Sequence, residues 1–232
     1  MQENFVIPAR YSYSVDGEVL IMIGTHVDDL LYGFVEKAKS IMQEIRTEVI
    51  VGKCLEGSFT FRGCEFIQRP DFEIQITCEK TTDKLEPIKL PPGRLKQLED
   101  SATPAEISQL RSVVGSEAWI VRSVRPEHMY EVSVLQQRTN KAQVKDLVDS
   151  NHLAKDLQQT ATRGLTFKPG LDWYNLILLV IGDSSRGGEV EYVDDWEELE
   201  CFRSQGAKIL ALGERQIADG EPGLLHVASF QS

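Results

Sequence analysis

Asp28 and Asp29 are adjacent carboxylates set between two apolar runs, residues 19–23 (Val-Leu-Ile-Met-Ile) on one side and Leu30, Leu31, Tyr32 and Phe34 on the other. A hard divalent cation such as Mg²⁺ takes oxygen ligands in near-octahedral geometry and shares them with substrate phosphates, so two carboxylates held on rigid backbone suit it. To do so they must be fixed at the tip of a β-hairpin. Residues 19–23 are continuous, apolar and rich in β-branched side chains, the pattern of a strand buried on both faces. The acids then fall at the bend, and residues 30–34 return as the second arm. The same dipeptide is also ordinary turn chemistry that needs no metal.

The chain has 232 residues, 41% apolar and 26% charged, a composition of globular proteins with length for one large or two small domains. Its net charge of −11 argues against gripping nucleic acid by the overall field, because phosphate binding is dominated by Lys and Arg that displace counterions. No apolar run reaches membrane-spanning length and the N-terminus lacks a signal-peptide pattern, so no membrane partner and an intracellular place, cytoplasmic or nuclear, are expected. Cys54, Cys64, Cys78 and Cys201 show no CxxC spacing, which leaves buried reduced thiols as the expectation rather than a zinc site or disulfide framework. Asp183, Glu189, Glu191, Asp194, Asp195, Glu197, Glu198 and Glu200 face only Arg186. Such a block repels itself and reads as a solvated loop.

The remaining elements follow from local patterns. Tyr11, Tyr13 and Val15 alternate with Ser12 and Ser14, and Asp16-Gly17 is a two-residue hairpin turn into residues 19–23. Ala38, Ile41, Met42 and Ile45 recur at helical spacing. Residues 58–67 and 72–78 alternate on either side of Arg69-Pro70-Asp71, a second hairpin. Pro91-Pro92-Gly93 marks a linker. Thr103, Pro104 and Glu106 form an N-cap, a first-turn proline and a capping-box acid, opening a helix faced by Ile107, Leu110, Val114, Ala118 and Val121. Pro126 starts a second helix with Met129, Val132, Val134 and Leu135, and Val144 to Ala161 a third, closed by Arg163-Gly164 as its C-cap. An apolar strand runs to Asp183, with two more strands at 202–213 and 224–230. The expected fold class is α+β, with domains at 1–90, 91–168 and 169–232.

Thr25-His-Val-Asp-Asp-Leu-Leu-Tyr-Gly33 resembles the aromatic-Val-Asp-Asp motif of reverse transcriptases, in the form used by copia-type LTR retrotransposon polyproteins; His26 stands where that family usually has Tyr. Phe61-Arg-Gly-Cys-Glu-Phe-Ile67 is similar to the family's Phe-x-Gly-x-x-Ile hairpin, with Gly63 on the matching glycine. Leu110-Arg-Ser-Val-Val-Gly-Ser-Glu-Ala-Trp119, Ser123-Val-Arg-Pro-Glu127 and Asn151-His-Leu-Ala-Lys-Asp-Leu157 through Thr162-Arg-Gly-Leu165 resemble collinear segments of its helical connection. Glu117 takes a place where an apolar residue is usual, Gly115 is expected to permit close helix packing, and Arg125-Pro126 to form a helix junction. Asp183-Ser-Ser185 and Phe202-Arg-Ser-Gln-Gly206 resemble the opening strands of the ribonuclease H domain.

The resemblance implies a partial reverse-transcriptase palm, a three-helix connection and a truncated ribonuclease H-like sheet. It implies an RNA-directed DNA polymerase, a nucleotidyltransferase of an element whose copies undergo DNA integration, working on an RNA/DNA template-primer. Asp28 and Asp29 would be the catalytic carboxylates and Mg²⁺ ligands, Mn²⁺ being possible. Asp183 would be a vestigial ribonuclease H ligand. Phe61, Arg62 and Gly63 would contact the primer, with Arg62 and Arg69 as phosphate contacts. The family's further metal-binding Asp has no counterpart upstream of Asp28, since Asp16 belongs to a turn, and the later ribonuclease H acids also lack counterparts. A polyprotein fragment with weak metal binding and no independent activity is therefore expected, completed by other polyprotein segments. The alternative is a non-catalytic binding or scaffold protein derived from the retroelement.

Overall fold

In the computed structural model, residues 2–3, 10–49, 52–170, 176–185, 205–221 and 223–231 are described. The acidic stretch from Glu189 to Glu200, Trp173 and Phe202 lie outside them. The chain is α+β, with antiparallel sheets and several helices, and divides into two compact units, Met1–Phe61 and Arg62–Ser232.

In the first unit β1 (Gln2–Glu3), β2 (Arg10–Val15), β3 (Glu18–His26) and β4 (Asp29–Phe34) form an antiparallel sheet in chain order. Asp16 (φ 50°) and Gly17 (φ 84°) both adopt the left-handed conformation that a type I′ turn requires, and Val15 pairs with Glu18. A 3₁₀ turn (Glu36–Ala38) leads into α1 (Lys39–Glu48), and together they lay Ala38 from the turn and Ile41, Met42 and Ile45 from the helix on Leu20, Ile21 and Ile23. Burial of residues 19–23 on both faces does not occur. Val19 is 48% and Met22 58% exposed, because the β2–β3 register shifts at Leu20, a bulge that turns Leu20 and Ile21 to the same face as Ile23, the one α1 covers, and leaves Val19 and Met22 on the other. β5 (Ser58–Phe61) ends the unit.

In the second unit β6 (Cys64–Gln68) and β7 (Ile74–Thr77) pair antiparallel about residues 69–73, and β8 (Leu165–Phe167) adds to β7. After the short α2 (Glu79–Thr82), the helices α3 (Pro104–Val124), α4 (Met129–Arg138) and α5 (Val144–Gln159) enclose Leu110, Val121, Leu147, Ala154 and Leu157, none of them exposed. Thr103 and Glu106 complete the capping box of α3, a device that stabilises by about 1 kcal/mol. Arg94 Nε and an Arg94 terminal nitrogen donate to the Glu106 carboxylate at 3.0 and 2.9 Å. That pair, against some burial and with help from Thr103, pushes Glu106 down to about 2.

The division between units lies at Phe61/Arg62, upstream of the expected boundary near residue 90. Leu85, Ile88 and Leu90 belong to the same apolar core as the helices. The Asn151 side chain also exchanges two hydrogen bonds with the Ile88 backbone, at 2.6 and 2.8 Å. Pro91-Pro92 is therefore a turn within a packed region.

Both helical glycines read from the sequence change meaning. Gly115 meets nothing within 4 Å of a built Cβ, so close packing is not its role. Gly164 does not cap α5, whose C-cap is Thr160. Its Cβ would fall 2.0 Å from the Ile76 carbonyl oxygen, so it serves the close approach of the chain to β7. Arg125 does form the α3–α4 junction, 2% exposed, donating to Glu127 at 2.6 Å and to Thr160 Oγ1 at 2.8 Å at the end of α5. A cation there suits the partial negative charge of a helix C-terminus.

β9 (Leu176–Ser185), β10 (Gln205–Glu214) and β11 (Leu225–Gln231) form a three-stranded antiparallel sheet with β10 central. Asp183 pairs with Ala207, inside β9 rather than at its end. Among the described residues no helix is long and apolar enough to cross a membrane.

Candidate functional site

The β3–β4 connection is as short as a hairpin allows. His26 pairs with Asp29, leaving Val27 and Asp28 as the turn. Of the two, Val27 has positive φ (53°), the pattern of a type II′ turn, whose first central residue is ordinarily Gly. A β-branched side chain in that region is strained by about 1–3 kcal/mol, and such strain is concentrated at ligand sites. Val27 is also 87% exposed, so packing does not compensate it. Replacing Val27 by Gly is expected to raise stability by about 1 kcal/mol, the relieved strain less glycine's added freedom in the unfolded chain. A urea midpoint that falls instead would show an unstrained turn.

Asp28 at the turn and Asp29 at the start of β4 are both exposed, and among the described residues no ion pair or side-chain hydrogen bond reaches either carboxylate. The two acids are thus offered to solvent from backbone fixed on both sides by sheet pairing. His26, at the end of β3, meets Phe61 edge to face, with ring centroids 6.3 Å apart and planes at 72°. The structure therefore brings Phe61 beside the acidic turn. Lower on β4, the Arg46 guanidinium lies 5.1 Å from the Tyr32 ring centroid, donates to its hydroxyl, and pairs with Glu56 at 3.1 Å. That contact ties α1 to the arm that carries Asp29.

Arg62 (φ 50°) and Gly63 (φ 77°) form the left-handed pair that leads into β6, in the second unit. Glycine suits the left-handed backbone there, and a Cβ on Gly63 would crowd the Trp119 ring at 3.0 Å. Arg69 pairs with Glu73 at 3.3 Å. Asp16 sits at the opposite end of β3 from Asp28, about 30 Å away at the rise of an extended strand, and cannot join it. Among the described residues no group of three His, Cys, Asp or Glu is placed to hold a metal ion.

Two hard carboxylates suit Mg²⁺ as part of a ligand set completed by water and phosphate oxygens, the usual way that ion is held. A carboxylate pair alone would hold the ion weakly, because Mg²⁺ gives up its water reluctantly.

The partners of several buried or half-buried polar groups were not read from the sequence. His128 bridges Glu131 (2.6 Å) and Asp156 (3.1 Å), clipping α4 to α5. Glu117, unexposed, accepts a hydrogen bond from Ser150 at 3.1 Å. Cys64 and Cys78 lie with their sulfurs 3.4 Å apart. This last contact was accessible, because 64 and 78 are equidistant from Asp71 at the centre of the hairpin connection. No family model, curated protein or solved structure matches the chain.

Proposed function

We propose that this chain is part of a copia-type retrotransposon reverse transcriptase, with Asp28 and Asp29 as carboxylates of its nucleotidyl-transfer site. The observation that carries the reading is the tight turn that presents both acids, neither with a side-chain partner among the described residues, and that has its strained residue in the middle of the motif. The adjacent Phe61 ring adds an aromatic surface of the kind against which a nucleotide or primer end can rest. Mg²⁺, held by Asp28 and Asp29 together with substrate phosphate oxygens, would supply electrostatic stabilisation of the transferring phosphoryl group. The three-helix region would be the connection that follows the palm, and the β9–β10–β11 sheet the start of a ribonuclease H-like fold with Asp183 on its first strand.

The chain by itself is expected to be catalytically silent, because no third carboxylate accompanies the pair among the described residues and two-metal transfer needs ligands from separate strands. Template-primer binding would rest on local contacts, the net charge being −11.

The test is Mn²⁺ binding followed by electron paramagnetic resonance, with and without a deoxynucleoside triphosphate. Weak binding that the nucleotide tightens, and that Asp28→Asn and Asp29→Asn each reduce at least tenfold, is expected. Binding indifferent to both substitutions would overturn the reading and leave a scaffold protein with no metal site at the β3–β4 turn.

A further inference from the structure

We propose that Cys64 and Cys78 are a redox-active dithiol, a modification site at which a hydroperoxide converts the pair to a disulfide across the β6–β7 hairpin. The Sγ atoms are 3.4 Å apart. The contact is built into the fold, since the register that pairs Glu65 with Thr77 runs on to set Cys64 opposite Cys78. At Cys78 the backbone is held by three hydrogen bonds to its carbonyl, from Thr81 N at 3.1 Å and from Thr82 N and Thr82 Oγ1, each 2.8 Å. Closing the bond therefore asks for side-chain movement within one hairpin, where opposed cysteines on paired strands come close enough to be bridged.

The two thiols are not equivalent. Cys64 is half-buried and so open to a small oxidant, whereas Cys78 is 1% exposed. The hydrogen bond from Cys78 lowers the Cys64 thiol below its ordinary range, against the effect of burial and with help from Ser123. The same contact and burial raise Cys78. Cys64 is thus the nucleophile, because the thiolate is the reactive form, and Cys78 the resolving thiol.

The chemistry balances in two steps. The Cys64 thiolate attacks one oxygen of the hydroperoxide; the O–O bond breaks and, with one proton taken up, an alcohol (or water, from hydrogen peroxide) leaves, giving the Cys64 sulfenic acid. Cys78 sulfur then attacks the Cys64 sulfur, its proton joins the departing hydroxide, and water is lost as the S–S bond forms. Two thiols are oxidised by two electrons and one peroxide bond is reduced. An external dithiol reverses the process by exchange.

The test uses the full chain with Cys54 and Cys201 replaced by Ser, treated with hydrogen peroxide, alkylated with N-ethylmaleimide and examined by intact mass and peptide mapping. Expected are loss of the mass of two hydrogen atoms, protection of both cysteines from alkylation until dithiothreitol is added, and a linked peptide joining Cys64 to Cys78. The oxidised form should also unfold at higher urea than the reduced form, since the bridge restricts the unfolded chain. In Cys78→Ser, dimedone should trap the Cys64 sulfenic acid; in Cys64→Ser, Cys78 should stay unmodified. Two thiols that remain alkylatable after peroxide, or equal dimedone labelling of Cys78 in Cys64→Ser, would show a pair that acts only as small apolar side chains. Mapping of the wild-type chain keeps the test decisive if the double variant fails to fold.

Discussion

With Glu117 replaced by Gln, the unfolding free energy stops falling as pH rises from 4.5 toward 8. Glu117 is unexposed on α3, and burial pushes its carboxyl from an ordinary 4.5 up to about 8, opposed only by the hydrogen bond from Ser150. Below 4.5 the acid is protonated in both folded and unfolded chains and costs nothing. Between 4.5 and 8 the unfolded chain releases the proton while the folded chain retains it, so unfolding becomes progressively more favourable. Above 8 the loss is complete, and the gap corresponds to at most about 5 kcal/mol. Gln keeps an acceptor for Ser150 and cannot ionise. Urea unfolding at about pH 5 and about pH 9 should show a large difference for the wild-type chain that is mostly abolished in Glu117→Gln. An equal pH dependence in both chains would mean that water or a partner solvates the carboxylate.

Gly164→Ala is expected to destabilise by about 3 kcal/mol or more, at the upper end of overpacking effects. The added Cβ would lie 2.0 Å from the Ile76 oxygen, 2.9 Å from its carbonyl carbon and 3.1 Å from Thr77 Cα. All three are backbone atoms of β7 or its continuation, so no side chain can turn aside. Relief requires β7 and β8 to separate beside the Ile76–Leu165 pair. Gly115→Ala is the internal control, since that position opens to empty space in the middle of α3 and alanine there gains up to about 1 kcal/mol of helix propensity. Opposite shifts of the thermal midpoint are predicted. A neutral Gly164→Ala would mean that the contact of the chain with β7 is looser than the structure has it.

Local signals were the ones the sequence carried openly. Asp16-Gly17 specifies its turn through left-handed backbone, Thr103-Pro104-Ala105-Glu106 its helix start through reciprocal hydrogen bonds, and the alternation about Asp71 its hairpin. Each works within a few residues. What escaped depends on which faces meet: Val19 and Met22 look like core from apolarity alone, Gly164 like a cap from its place after a helix, and Pro91-Pro92 like a linker because Ile88 and Asn151 are 63 residues apart in sequence. In the candidate site, the acidic turn was legible because Asp28 and Asp29 interrupt two apolar arms. The Phe61 contact was not, because nothing local ties β5 to the end of β3. The strain at Val27 could have been read from placing a β-branched residue where a two-residue turn wants glycine.

The account rests most heavily on metal at the β3–β4 turn, and paramagnetic broadening of backbone amide resonances by Mn²⁺ in the presence of a deoxynucleoside triphosphate tests that directly. Broadening centred on His26 to Leu30, reaching Phe61 and lost in Asp28→Asn, is the predicted result. Broadening centred on the acids between Glu189 and Glu200 and unchanged in Asp28→Asn would contradict it.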